Sequence, residues 1–298
     1  MMLIREPAEM RQYLQEKLAA GIATGFVPTM GALHPGHLKL VSRARKENEL
    51  VLCSIFVNPT QFNNRKDYNH YPVTLEKDIY LLLSAGCDVL FLPTVEGMYP
   101  SGLAPIKHYP LGYLEEVLEG KYRPGHFQGV CQVVNRLLDI IRPKQLYLGQ
   151  KDLQQCLVIT KLIQLESFET TVVICTTQRE TDGLAMSSRN MRLSAEERLK
   201  APLLYQALLK VTRALSHGRA QSAIEAAIVF LQEQDFKVDY IFLARMDTLE
   251  PVFDWDGSTP VAILAAAFLN NIRLIDNIII REEDFSSEAL PGPVSYPE

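Results

Sequence analysis

The sequence has little that would tie it to a membrane, to a nucleic acid or to an oxidising compartment. Its longest apolar stretch, Val261 to Leu269, has nine residues, against about 20 for a helix that spans a bilayer. It has no basic tract, and its formal net charge is -5, which disfavours a polyanion as partner but not a nucleotide as a small ligand. Cysteine is sparse. The five thiols, Cys53, Cys87, Cys131, Cys156 and Cys175, are odd in number and scattered, with no CxxC. A disulfide framework and a structural zinc site are thereby excluded, and buried thiols in a reducing cytoplasm are expected. The opening Met1 to Pro7 has no apolar core of a signal peptide, so a cytoplasmic location is expected. Three nucleotide and nucleophile signatures are also missing: GxGxxG after the first strand, GxxxxGK[ST], and GxSxG. Hydride transfer, P-loop ATPase chemistry and a serine nucleophile elbow lose their usual support.

What is present is ample core material. Hydrophobic residues make up 47% of the 298, enough for one large domain or two smaller ones. Periodicity predicts a helix over Glu6 to Ala20, a first strand at Gly25 to Val27, a helix from near Gly36, and a buried strand at Leu50 to Val57. A helix at Val73 to Ala85 and a strand at Cys87 to Leu92 follow. Val130, Val133, Val134, Leu137, Leu138 and Ile141 fall on one broad helical face. Gln145 to Leu148, a helix from Asp152 to Leu165, and Thr171 to Cys175 complete the alternation. Five strands alternating with helices predict a doubly wound parallel α/β sheet.

Beyond Leu184 the pattern changes. Ser194 and Glu197 have capping-box spacing and open a helix running to Leu215. A second helix is expected over Arg219 to Gln232, then strands at Val238 to Ala244, Val261 to Ala267 and Ile272 to Ile280. The expected organisation is a Rossmann-like domain over 1–184 and a smaller α+β domain over 185–298, with Pro291 to Glu298 as an exposed tail.

Four polar clusters interrupt the regular elements: Met30 to His37, Asn58 to Asn64, Gly149 to Gln155 and Met186 to Arg189. Three follow predicted parallel strands, and ligands of such sheets bind at the carboxyl ends of the strands. Gly31 and Gly36 permit a tight turn. His34 and His37, three apart, can share the opening face of a helix, whose unpaired N–H groups favour an anion. Lys151 and Arg189 are the cations for a phosphate group in a transition state, and Ser187 and Ser188 can donate to its oxygens. Asp152 can receive ribose hydroxyls or help hold a Mg²⁺ carried by phosphates. Gln61 and Gln155 are neutral amides suited to a small polar substrate. No protein nucleophile is required if orientation and charge do the work.

These segments resemble the pantothenate synthetase (pantoate–β-alanine ligase) family. The resemblance is carried by Pro28 to His37, by Phe56 to Phe62, by Arg123 to Phe127, by Gly149 to Gln155, by Asp182 to Asn190 and by Arg273 to Asn277, in the expected order along nearly the whole chain. It implies ATP-dependent condensation of (R)-pantoate with β-alanine through a pantoyl adenylate, with AMP and pyrophosphate released and Mg²⁺ accompanying ATP. It also implies a fold like class I aminoacyl-tRNA synthetases and nucleotidylyltransferases, and a homodimer. By the same resemblance Met30, Gly31, Ala32, Leu33, His34, Pro35, Gly36 and His37 contact ATP. So do Gly149, Gln150, Lys151, Asp152, Gln178, Met186, Ser187, Ser188 and Arg189. Gln61 and Gln155 hold pantoate, and Asn58 supports the β-alanine pocket. His34, His37, Lys151 and Arg189 carry the catalysis, with His37 as the family's proton donor candidate. Arg123 and His126 resemble residues on the β-alanine side, although structural pairing is the expectation for them.

Some positions depart from the family's habit. Gln150 stands where Glu is usual, Gln178 where Val is usual, and Asn271 where Gly or Thr is usual. Leu137, Leu138 and Leu153 replace Phe. Two other classes remain open on sequence: a nucleotidylyltransferase that passes AMP to a phosphorylated molecule, and a nucleotide-binding module without activity.

Overall fold

A computed structural model describes residues 1–62, 68–103, 107–215 and 220–282. The expectations that touch Asn63, Asn64 and Arg219, and the tail from Pro291 to Glu298, lie outside these residues. The chain divides into two compact units, Met1–Thr177 and the remainder from Gln178.

The first unit is built on a parallel sheet. Its strands are β1 (Met2–Ile4), β2 (Thr24–Thr29), β3 (Leu50–Ile55), β4 (Val89–Phe91), β5 (Gln145–Gly149) and β6 (Thr171–Cys175). Their order is β1-β4-β3-β2-β5-β6, and every pairing is parallel. Successive side chains leave opposite faces of a strand, and both faces here are covered. Phe26, Leu52, Phe91 and Leu146 enter one core with the helices Pro7–Ala19, His126–Ile141 and Leu153–Leu165. Their neighbours Val27, Cys53, Leu90 and Tyr147 enter the other, with the helices Pro35–Glu47 and Leu75–Ser84. That double coverage explains the unbroken apolar runs. All five cysteines are buried free thiols.

β1 was not expected. Its three residues carry too little pattern to read, and only Ile4 is buried. It gains strand character from tertiary pairing with Val89–Phe91 at the sheet edge.

In the second unit, β7 (Phe236–Arg245), β8 (Val261–Leu269) and β9 (Ile272–Ile280) form an antiparallel sheet in that order. The helices Leu203–Leu215 and Ala220–Gln232 share its apolar core. The single helix expected from Ser194 to Leu215 is two, Ala195–Lys200 and Leu203–Leu215. Pro202 lies in the break, where it can open a new helix but cannot continue the old one. Ser194 and Glu197 do form the reciprocal cap. The unit begins at Gln178, ahead of the expected 185, because Gln178 to Met186 fold into a hairpin tied to β9 through Arg179 and Asp276. No helix among the described residues is long and apolar enough to cross a membrane.

Candidate active site

The strand order reverses direction between β2 and β5: β3 and β4 continue to one side of β2, whereas β5 and β6 lie on the other. Loops leaving the carboxyl ends of two such strands diverge and leave a crevice. Here those loops are Met30–His34 and Gln150–Asp152. Across the crevice His34 and His37 feel the charges of Lys151 and Asp152.

The β2 loop is shaped from behind by Asp78, which is 1% exposed. Its Oδ2 accepts the Ala32 N–H at 2.9 Å and its Oδ1 the Leu33 N–H at 2.8 Å. The Thr74 hydroxyl donates to Oδ1 at 3.0 Å. Gly31 and Ala32 both have positive φ, 83° and 50°, and the carboxylate bonds offset the strain this imposes on Ala32. The Gly31 N–H donates to the Thr29 hydroxyl, which donates in turn to Ser54 O at 2.7 Å. Asp78 was not singled out by the sequence, and Thr29 only as part of the Pro28 to His37 segment. The available signal was a carboxylate on the apolar stripe of Leu75, Ile79 and Leu82.

The helix Pro35–Glu47 then starts in an unusual way. His34 is its cap, and its Nδ1 accepts the Gly36 N–H at 3.2 Å. Nδ1 of His37 accepts the His34 N–H at 3.4 Å, and the rings lie 4.0 Å apart. The N–H groups of His37 and Leu38 donate to His34 O. The expectation of unpaired N–H groups at this helix start is therefore corrected: the chain satisfies them itself. What the turn presents instead is imidazole. With both Nδ1 atoms accepting, each neutral ring carries its proton on Nε2. Burial, reinforced by Lys151, lowers His34 to about 4. Burial, then His34 and Lys151, lowers His37 to about 3. Both are uncharged donors at neutral pH.

On the β5 side, a 3-10 turn Gln150–Asp152 places Lys151 Nζ 3.2 Å from Asp152 Oδ2. The following glutamines divide their tasks. Gln154 is buried, accepts the Glu119 N–H, and donates to Leu114 O and Val117 O. Gln155, one residue on, is half-buried with no hydrogen bond to its amide among the described residues.

After β3, Asn58 is fully engaged. Its Nδ2 donates to Gly129 O at 3.1 Å and to Gln61 Oε1 at 3.2 Å. Its Oδ1 accepts from Thr60 N, the Thr60 hydroxyl and, at 2.8 Å, the Tyr99 hydroxyl. The Gln61 amide donates to Met30 Sδ at 3.0 Å. Gly129 presses on this loop so closely that a Cβ there would lie 2.3 Å from Thr60 O. Arg123 Nη1 is 3.0 Å from His126 Nε2, and His126 Nδ1 is 2.8 Å from Gln61 O. Arginine can only donate, so His126 accepts at Nε2 and donates from Nδ1 to the Gln61 carbonyl. The pairing expected for Arg123 and His126 is what the structure contains, and it ends on Gln61.

The structure thus brings Met30, His34, His37, Gln61, Lys151, Asp152 and Gln155 to one edge of the first unit. Gln178, Met186, Ser187, Ser188 and Arg189 belong to the second unit. There the Ser187 hydroxyl accepts the Arg189 N–H at 3.3 Å, capping a 3-10 turn over Ser188–Arg192.

A parallel α/β unit with imidazoles and a lysine at its switch point is a nucleotide-binding architecture without the usual glycine fingerprint. A family model described as pantoate-beta-alanine ligase matches residues 2–279. The pantothenate synthetase of Cytophaga hutchinsonii is 41% identical over 283 residues, covering 94% of this chain and 99% of that protein. That of Thermus thermophilus is 47% identical over 258 residues, covering 85% and 92%. A crystal structure of the Thermus thermophilus enzyme superposes with a TM-score of 0.85, covering 93% of this chain and 99% of that one at 44% identity. The pantoate-beta-alanine ligase of Francisella tularensis, solved as a complex described as holding beta-gamma ATP and beta-alanine, gives 0.77 at 36% identity, covering 95% and 98%. The chain belongs to the pantoate–β-alanine ligase family.

Proposed function

We propose that this protein joins pantoate to β-alanine at the expense of ATP, giving pantothenate, AMP and pyrophosphate through pantoyl adenylate. The observation that carries the reading is the placement of two neutral histidines within the field of Lys151 across the β2–β5 crevice, in a chain that the family model matches over residues 2–279. In the first step a pantoate carboxylate oxygen attacks the α-phosphorus of ATP. The bond to the bridging oxygen breaks and pyrophosphate leaves with the electron pair. In the second the β-alanine amine attacks the acyl carbon, the C–O bond to AMP breaks, and the amine gives up a proton.

Neither step needs a protein nucleophile. Lys151 and Arg189 supply positive charge to the phosphates as bonds exchange. His34 and His37, neutral and with Nε2–H groups, act as hydrogen-bond donors to phosphate oxygens rather than as acids. Gln155 and the Gln61 amide hold pantoate, and Asn58 fixes the Gln61 loop. The β2 loop from Met30 to Gly36, the turn Gly149 to Asp152, and Gln178, Met186, Ser187 and Ser188 contact the nucleotide. The Asp152 carboxylate would help to hold a Mg²⁺ carried mainly by phosphates, and such an ion would supply positive charge at that end of the site. A homodimer of such chains is the assembly we assign.

The nucleotidylyltransferase alternative finds no support in the named relatives. The deciding experiment incubates the protein with ATP, Mg²⁺ and pantoate, with or without β-alanine, and resolves products by mass spectrometry. Equal amounts of pantothenate and AMP, formed only with β-alanine, are expected. A product that keeps the nucleotide, or AMP without an amide, overturns the reading.

A further inference from the structure

The segment Arg273 to Asn277 is as family-like as the loops above, yet it contributes nothing to the chemistry just described. It lies on β9, an edge strand of the second unit's sheet. Asp276 is 4% exposed there and Asn277 2%. A buried carboxylate is costly unless paired, and its partner is Arg179. Arg179 Nη1 donates to Asp276 Oδ2 at 2.6 Å and Nη2 to Oδ1 at 2.9 Å, a two-pronged pairing. The same guanidinium donates to Gly183 O at 3.1 Å and to Asn277 O at 3.3 Å. It also stacks over the Tyr205 ring, 3.7 Å from the centroid.

Arg179 begins a hairpin. It bridges to Ala185, Glu180 N–H donates to Leu184 O, and Met186 N–H donates to Gln178 O. The turn of the hairpin contains Gly183 at φ +92°, and a Cβ there would lie 2.5 Å from Tyr205 Cδ1. The other strand of the hairpin runs straight into Met186, Ser187, Ser188 and Arg189. Two further bonds hold that exit: Asp182 pairs with Arg198, and Asn190 Nδ2 donates to Ala185 O at 3.0 Å.

We propose that Arg179 and Asp276 are positioning residues for the nucleotide. Their pairing welds the Gln178–Met186 hairpin to β9 and so fixes where Met186–Arg189 present their donors. This rests on the assignment of Met186–Arg189 to ATP. Bidentate, stacked geometry is specific to arginine, and lysine reproduces neither the fork nor the stacking.

The test is initial-rate kinetics on the full chain with ATP, Mg²⁺, pantoate and β-alanine, alongside thermal unfolding and calorimetric ATP binding. The variants are Arg179→Lys, Asp276→Asn and the milder Asp182→Asn, which removes only the second pin. A rise of about tenfold in KM for ATP is expected for the first two, with KM for pantoate within about twofold of wild type. Asp182→Asn gives a smaller rise of the same selectivity. An unchanged KM for ATP in folded variants, or KM values for ATP and pantoate rising together, overturns the proposal. Should the buried-pair variants fail to fold, Asp182→Asn decides alone by the same criterion. A wild type that binds ATP without making pantothenate counts against the ligase reading only, because calorimetric ATP affinity still compares the variants.

Discussion

His34 and His37 each commit Nδ1 to a backbone N–H of the same helical turn, His34 to that of Gly36 and His37 to that of His34. Protonating either ring adds a hydrogen where the structure needs a lone pair. The capping bond is then lost in addition to the cost of a buried charge.

A pH dependence of stability follows. Both imidazoles are lowered from the ordinary value of about 6.5, to about 4 for His34 and about 3 for His37. Between those values the unfolded chain binds more protons than the folded one, so stability rises with pH. The contribution is fully present above the unfolded value and is lost as pH falls below it, down to the folded values. Urea unfolding of wild type and His37→Gln between about pH 4 and 7 should show a slope shallower in the variant by up to about 1.4 kcal/mol per pH unit. Parallel slopes would contradict the neutral, Nδ1-accepting ring.

Lys151→Ala should separate catalysis from stability. Its ammonium belongs to a short turn after β5, 3.2 Å from the half-exposed Asp152 carboxylate. Its proposed contact strengthens as charge develops in the transition state. We expect kcat to fall by about 10²-fold or more, with thermal unfolding little changed. Near-normal kcat in a folded variant would remove Lys151 from the chemistry.

The residues assigned to the ligand stand out in the sequence, and those that hold their loops do not. Met30 to His37 could be found because glycine, proline and histidine break a pattern of apolar periodicity at a strand end. Lys151 and Gln155 could be found the same way after β5. Asp78 could not, because its partners Ala32 and Leu33 are distant in sequence and offer backbone groups, which have no signature. Arg179 and Asp276 are likewise far apart in the chain: Asp276 stands in a segment that carries the resemblance, yet nothing in the sequence pairs it with Arg179. The anion-binding helix start was misread for a related reason: side-chain caps redirect N–H groups that a sequence shows as unpaired. β1 escaped because three residues have no period, and its strand character exists only through pairing with β4.

Asp78→Asn probes that hidden layer. An amide keeps one oxygen for the Ala32 or Leu33 N–H and sets an NH₂ group against the other. The backbone N–H that faces the NH₂ loses its acceptor and meets a second donor, which costs about 1–3 kcal/mol. The β2 loop carries His34 immediately after Leu33, so KM for ATP should rise along with the lower urea midpoint. A midpoint equal to that of wild type would show that the loop holds its strained Ala32 without the carboxylate.

The Arg123–His126–Gln61 chain gives a test that distinguishes aim from bulk. His126 donates from Nδ1 to the Gln61 carbonyl and accepts at Nε2 from Arg123, while Gly129 packs against the same loop. His126→Leu removes the donor and frees Gln61 O, whereas His126→Asn can return an N–H to the position of Nδ1. Because Gln61 also donates to Met30, a displaced loop shifts the amide assigned to pantoate. KM for pantoate should therefore rise about tenfold in His126→Leu and recover to within about threefold in His126→Asn, with KM for ATP unaffected in both. Equal defects in the two variants would mean that ring packing matters and the donated hydrogen bond does not. A rise in KM for every substrate would mean that the loop serves the fold alone.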